Sequence, residues 1–297
     1  MSESRIQPLN GQTLSRVLAF QQNEVTEAEI YRRIAARQKS ESERETLERI
    51  AAEEEAHAVI WRGYTGQELL PQKGKVLWFS LLSRVLGYTF ALKLMEKGED
   101  GAQDSYAELG REIPEALQIA ADEQAHEQAL LAMLNEERLQ YVGSMVLGMS
   151  DALVELTGTL AGLTFAMQNT RLIALSGLIT GISATLSMAS SEYLSARSDG
   201  DSDAFKSCLY TGIAYLIAVL CIVLPYLLFP AGGYVGALCC MLAAAVLLIL
   251  GFTYYISVAK SLPFKKRFAE MALISLSVAA ISFVIGLLVK KFLGIDL

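Results

Sequence analysis

The chain has 297 residues, 53% of them hydrophobic and 19% charged, with a formal net charge of −7. Residues 139–297 hold only eight of the 32 acidic and nine of the 25 basic side chains, so the net charge is about −8 before residue 139 and about +1 after it. An acidic front half joined to a nearly uncharged, apolar back half excludes a disordered chain and a basic nucleic-acid-binding surface.

The first ten residues, MSESRIQPLN, hold no apolar core of a signal peptide, and the front half is expected to stay in the cytoplasm. Gly and Pro are sparse across residues 12–138. The apolar periodicity predicts four helices, near 12–38, 41–65, 75–99 and 113–138. Pro114 suits the first turn of the fourth. Residues 76–95, VLWFSLLSRVLGYTFALKLM, are apolar, but Arg84 and Lys93 interrupt them. They are read as a buried helix of the front domain rather than a sixth span.

The protein has two histidines, and each follows a glutamate by three residues: Glu54 and His57, Glu123 and His126. Side chains at i and i+3 share a helix face, so each pair can clasp one metal ion. The pairs fall on the second and fourth predicted helices. Di-iron carboxylate bundles use this arrangement, with one Glu from each of the other two helices. Helix one offers Glu24 and Glu27. Helix three offers Glu96 and Glu99. Imidazole with hard carboxylates suits iron or manganese; zinc is less characteristic.

Five stretches of the back half are long and apolar enough to span a hydrocarbon core ~30 Å thick, near 141–167, 172–194, 207–229, 234–258 and 268–289. The first two are richer in Gly, Ser and Thr. Their Gly158, Gly162, Gly177 and Gly181 suit close helix contact, against each other or a partner subunit. The third and fourth are almost wholly aliphatic and aromatic, fit for lipid or scaffold. Cys208, Cys221, Cys239 and Cys240 form no CxxC pair and are read as small buried hydrophobes. With the N-terminus inside, the inner segments carry Arg138, Arg197, Lys206, Lys260, Lys265, Lys266 and Arg267, and the outer ones Arg171, Lys290 and Lys291. That asymmetry favours a cytoplasmic N-terminus and an outer C-terminus.

Ionisable groups inside spans are expensive and mark ion pathways. The first span holds Asp151 and Glu155, four apart on one face. The second holds Met188 and Glu192, also four apart. Carboxylates with a thioether can hold a partly dehydrated ferrous ion, and the soft sulfur disfavours magnesium and calcium.

Residues 12–138, through FQQNEVTEAEIY and the two ExxH motifs, resemble the rubrerythrin and ferritin-like family, without the CxxC of a rubredoxin centre. The resemblance implies ligands at Glu54, His57, Glu123 and His126, at Glu24 or Glu27, and at Glu96, with Glu99 in reserve. The back half, through GMSDALVELTG and SMASSEYLSARS, resembles the vacuolar iron transporter family. Ala152 follows Asp151 where the plant members have Gly. Their Glu-rich insert after the second span is here a short loop with Asp199, Asp201 and Asp203. This resemblance implies a homodimer exchanging ferrous iron or manganese for protons, with Asp151, Met188 and Glu192 on its path. The two in this order resemble the membrane-bound ferritins of bacteria.

The expected protein is all-α: a cytoplasmic four-helix ferritin-like bundle over residues 1–138 and a five-span domain over 139–297, in a bacterial inner membrane. Its expected function is proton-coupled export of iron, with a di-iron bundle that gathers metal for the membrane path. A rival reading is a membrane-anchored ferroxidase or peroxide scavenger, for which one uncharged span would suffice. A third is a bundle whose metal only gates transport.

Overall fold

The computed structural model describes residues 9–97, 106, 108–132 and 141–293, with backbone only at 131, 132, 290 and 293. Among these residues it is all-helical and divides into two compact units, Met1–Glu136 and Glu137–Leu297.

The front unit holds α1 (Gly11–Ala35), α2 (Glu41–Thr65), α3 (Lys73–Val85), α4 (Tyr88–Lys97) and α5 (Glu115–Ala132). Asn10 caps α1 by accepting from the Thr13 amide, and Ser40 caps α2 by accepting from the Glu43 amide. Gly66, at φ +64°, ends α2 in the left-handed region that favours glycine. The third predicted helix is two. Gly87 sits at φ +99°, outside the helical range, and breaks the run between Val85 and Tyr88. Nor is this segment wholly buried. Val76 and Leu82 face inward, but Leu77, Trp78, Leu81 and Val85 are more than half exposed.

Two apolar clusters hold the front unit. One contains Ile30, Ile34, Leu47, Ile50, Leu92 and Leu130; the other contains Val17, Trp61, Leu109, Ile113 and Ile119. Each of α1, α2 and α5 runs from one cluster to the other. The residues between them are polar and buried: Gln21 and Glu24 on α1, Glu54 and His57 on α2, His126 on α5. A buried polar layer between two dry ones needs partners for every atom.

The back unit holds α6 (Val142–Met167), α7 (Thr170–Ser198), α8 (Ala204–Leu228), α9 (Tyr234–Ala259) and α10 (Phe264–Leu293), and each is long and apolar enough to cross a membrane. Leu153, Leu156 and Leu160 of α6 pack with Tyr215, Val219, Ile222 and Tyr226 of α8 to form its core. The glycines are spent on contacts within the chain. A Cβ built on Gly158 would stand 2.9 Å from Val278, and one on Gly286 2.5 Å from the Gly162 carbonyl oxygen, so α6 and α10 nearly touch. Gly177 meets Leu160 and Gly181 meets Val219 in the same way. These four glycines therefore give no dimer face, contrary to one reading of the sequence. The cysteines are not buried either: Cys208 and Cys221 are half-buried, Cys239 and Cys240 are exposed, and all four are free. On a spanning helix, exposure to lipid is no cost to a small apolar side chain.

Helix α7 is lopsided. Its buried residues are Thr170, Ile173, Ala174, Gly177 and Gly181, all in its first half. From Ile182 to Ser198 no residue is buried, and this stretch carries Met188 and Glu192.

Candidate functional site

The polar layer of the front unit gathers one oxygen each of Glu24, Glu54 and Glu123 and one nitrogen of His57, all within 4.8 Å of one another. His57 Nδ1 lies 3.6 Å from Glu54, 3.5 Å from Glu123 and 3.7 Å from Glu24. His126 joins from the other side, its Nδ1 3.2 Å from Glu54 and 3.6 Å from Glu123. Glu54 and Glu123 thus lie between two imidazoles whose ring centres are 5.8 Å apart. The i, i+3 spacing on α2 and α5 produces this near-symmetry.

A third layer fixes the rings. His57 Nε2 donates to Asp122 at 3.3 Å, and His126 Nε2 donates to Glu53 at 2.7 Å. The exchange is reciprocal: the residue before each motif's glutamate holds the other motif's imidazole. With Nε2–H engaged outward, Nδ1 is the atom left to face the carboxylates. Trp61 Nε1 and Tyr106 Oη both donate to Glu24 Oε1, at 3.2 and 3.3 Å. These four partners were not read from sequence, although a doubled acid precedes both motifs, as Glu53-Glu54 and Asp122-Glu123.

Four buried atoms of this layer have no hydrogen-bond partner: Glu24 Oε2, Glu54 Oε2, His57 Nδ1 and His126 Nδ1. Buried polar atoms without partners are costly, and four facing one volume fit a cation. Hard oxygens with imidazole nitrogens suit iron or manganese. Without metal, protons take its place. Burial and the adjacent Glu54 carboxylate push Glu24 well above the usual range. Burial alone would raise Glu54, but Glu24 and both imidazoles outweigh it and hold it at about 2. Burial would lower both imidazoles, yet the surrounding carboxylates raise His57 to about 12 and His126 to about 10. Glu53 is lowered, because His126 and Arg49 outweigh its partial burial. Of the remaining candidates, Glu27 and Glu96 are half-buried and stand outside the gathered group, and Glu99 lies outside the described residues.

In the back unit the acids are dispersed. Asp151 is half-buried, and Glu155, one turn on, is exposed but accepts from Tyr215 Oη at 2.7 Å. Glu192 accepts from Ser144 Oγ at 2.6 Å, tying α7 to the start of α6. Seven residues of α6 separate Ser144 from Asp151, about 10 Å at the helical rise. Met188 is half-buried and packs on the apolar core. Among the described residues, no group of three His, Cys, Asp or Glu ligands forms in this unit. Tyr215 lies on α8, which has no acid, and Ser144 is a neutral side chain seven positions before Asp151, so pattern reading passed over both.

Residues 142–204 match the VIT family. The matched stretch covers α6 and α7 and contains Asp151, Glu155, Met188 and Glu192. No curated protein and no solved structure matches the chain. Five helices long and apolar enough to cross a membrane suggest a multi-pass membrane unit in the back half, and the match over residues 142–204 supports a membrane domain like that of the vacuolar iron transporter family, which suggests membrane metal-ion transport.

Proposed function

We propose that the protein exports ferrous iron, with manganese as a second cargo, from a bacterial cytoplasm in exchange for protons. The observation that carries the reading is the coincidence of the family match with the two helices that hold every intramembrane candidate, Asp151, Glu155, Met188 and Glu192. Lys and Arg asymmetry supports a cytoplasmic front half in the inner membrane. There the bundle gathers metal, with Glu24, Glu54, His57, Glu123 and His126 as ligands of a di-iron centre. Such a centre supplies tight ferrous binding on hard donors. Glu96 or Glu27 would complete it after a rearrangement.

Glu192, nearer the start of α6, takes iron first; Asp151, deeper, trades it for a proton. Carboxylates carry either, which is the chemical basis of antiport. Met188 adds a soft donor that selects transition metals. The path is completed by a second copy. Glu155 is exposed midway along a span and the second half of α7 is uncovered, and a carboxylate facing lipid is expensive. In a cysteine-free variant, Ser187→Cys should crosslink two copies; monomers throughout would contradict the dimer. The function is tested by purified protein in liposomes holding an iron-sensitive and a pH-sensitive dye. Iron movement that rises with an imposed proton gradient, with protons moving the other way, is expected. No iron flux from a metal-loaded protein would favour the anchored ferroxidase.

A further inference from the structure

A cavity of about 440 Å³ opens in the back unit among α6, α9 and α10. That volume lies in the ~300–1,000 Å³ range of ligand sites. Its body is apolar, walled by Val146 and Val154 of α6, Phe252 of α9 and Ile274 of α10. Its lining changes character toward one end, where α9 finishes and α10 begins. There stand Lys260, Arg267 and Glu270, all exposed, none in an ion pair with another described residue. Between the dry body and the charged mouth lies Ser257. It lines the cavity, is 3% exposed, and its hydroxyl has no hydrogen-bond partner among the described residues.

This gradient has the dimensions and order of a phospholipid. Val142 and Val154 both line the cavity, so it extends about 18 Å along α6 at ~1.5 Å per residue, inward from the interfacial end of a span. A hydroxyl left unsatisfied in an apolar wall costs free energy until an acceptor arrives. Two cations with one anion at the mouth match a phosphate beside an ammonium. A soluble metabolite would leave the apolar body wet, and an alkyl chain without a head group would leave Ser257 and the three charges unused.

We propose that this cavity holds one glycerophospholipid of the primary-amine class. An acyl chain fills the body, and an ester carbonyl accepts from Ser257 Oγ. The phosphate sits between Lys260 and Arg267, and the head-group ammonium donates to Glu270. The lipid braces α9 and α10 against α6, the helix that carries Asp151. The inference depends on the five helices being spans and not on the identity of the transported ion.

The test is native mass spectrometry of the full chain with added phosphatidylethanolamine, phosphatidylglycerol or diacylglycerol. One phosphatidylethanolamine per chain should persist at collision energies that strip the others. Lys260→Gln with Arg267→Gln, both at exposed positions, should weaken that adduct at least tenfold. A second variant fills the space instead. Gly143 lines the cavity, and a Cβ built there meets no atom within 4 Å, so Gly143→Leu should fold and exclude the lipid. An adduct unchanged in both variants, diacylglycerol held as firmly as phosphatidylethanolamine, or phosphatidylglycerol held equally well would each overturn the assignment.

Discussion

The acids of the front unit and those of the back unit solve different problems. In the front, Glu24, Glu54, His57 and Glu123 converge within 4.8 Å, nearly dry, with Asp122, Glu53, Trp61 and Tyr106 holding them in place. In the back, the Ser144 that holds Glu192 stands about 10 Å from Asp151 along α6, Glu155 is exposed, and the partners shown for Glu192 and Glu155 are neutral hydroxyls. A preorganised cluster binds tightly and releases slowly. A dispersed one binds weakly and can pass an ion on. A store suits the first arrangement and a conduit the second.

The sharpest way to break this contrast is to remove the imidazoles. His57→Ala with His126→Ala deletes the only histidines, and tight metal binding by the full chain should vanish while the helical signal persists. Metal analysis after dialysis measures it, and unchanged stoichiometry would remove the centre from the account.

The outer carboxylates should matter less but visibly. Glu53→Gln and Asp122→Asn each free one imidazole, and partners of this kind are worth roughly 10- to 100-fold in metal affinity. Competitive titration against a chelating dye reads this. Affinities within twofold of the unaltered protein would mean that the rings are held by packing alone.

The protons offer a third test. At pH 7 the metal-free cluster keeps both imidazoles protonated, because His57 sits at about 12 and His126 at about 10. Ferrous binding should therefore release the two Nδ1 protons, and affinity should rise with pH. Weakly buffered titration with a pH indicator counts them; no release would contradict the cluster's charge state. Linkage fixes the sign for the metal-free fold. The raised imidazoles stabilise it fully below their unfolded value of ~6.5, and that stability is lost as pH rises toward 10–12. Lowered Glu54 stabilises it above its unfolded value of ~4.3, and that stability is lost as pH falls toward 2. On these groups the metal-free bundle should melt highest between about pH 4.5 and 6.5.

Tyr215→Phe should give the smallest change. It removes one hydrogen bond to Glu155, worth about 0.5–1.5 kcal/mol, so iron flux should shift by only a few-fold. A complete loss would move Glu155 from the margin of the path to its centre.

Much of this division was legible in the sequence. Long apolar runs place the spans to within a few residues, since length and hydropathy alone determine where a helix can cross. Two histidines in two ExxH motifs could converge only if α2 and α5 are neighbours, and they are. What escaped depended on tertiary packing. A lone Gly87 in an apolar run does not announce a break. Gly158 and Gly162 signal close approach without naming α10 as the partner. Asp122 and Glu53 look like solvated surface until the opposite helix brings a histidine to each. The open face of α3 reads as core because hydropathy counts residues and not their directions.

The central claim is that capture and translocation are separate, and one preparation can test it. Asp151→Asn is purified as the full chain, assayed for bound iron, then placed in liposomes under a proton gradient with iron-sensitive and pH-sensitive dyes inside. The account predicts normal iron loading of the front unit together with loss of coupled iron and proton flux. Iron and protons still moving together at the unaltered rate would contradict it and place the conducting site elsewhere.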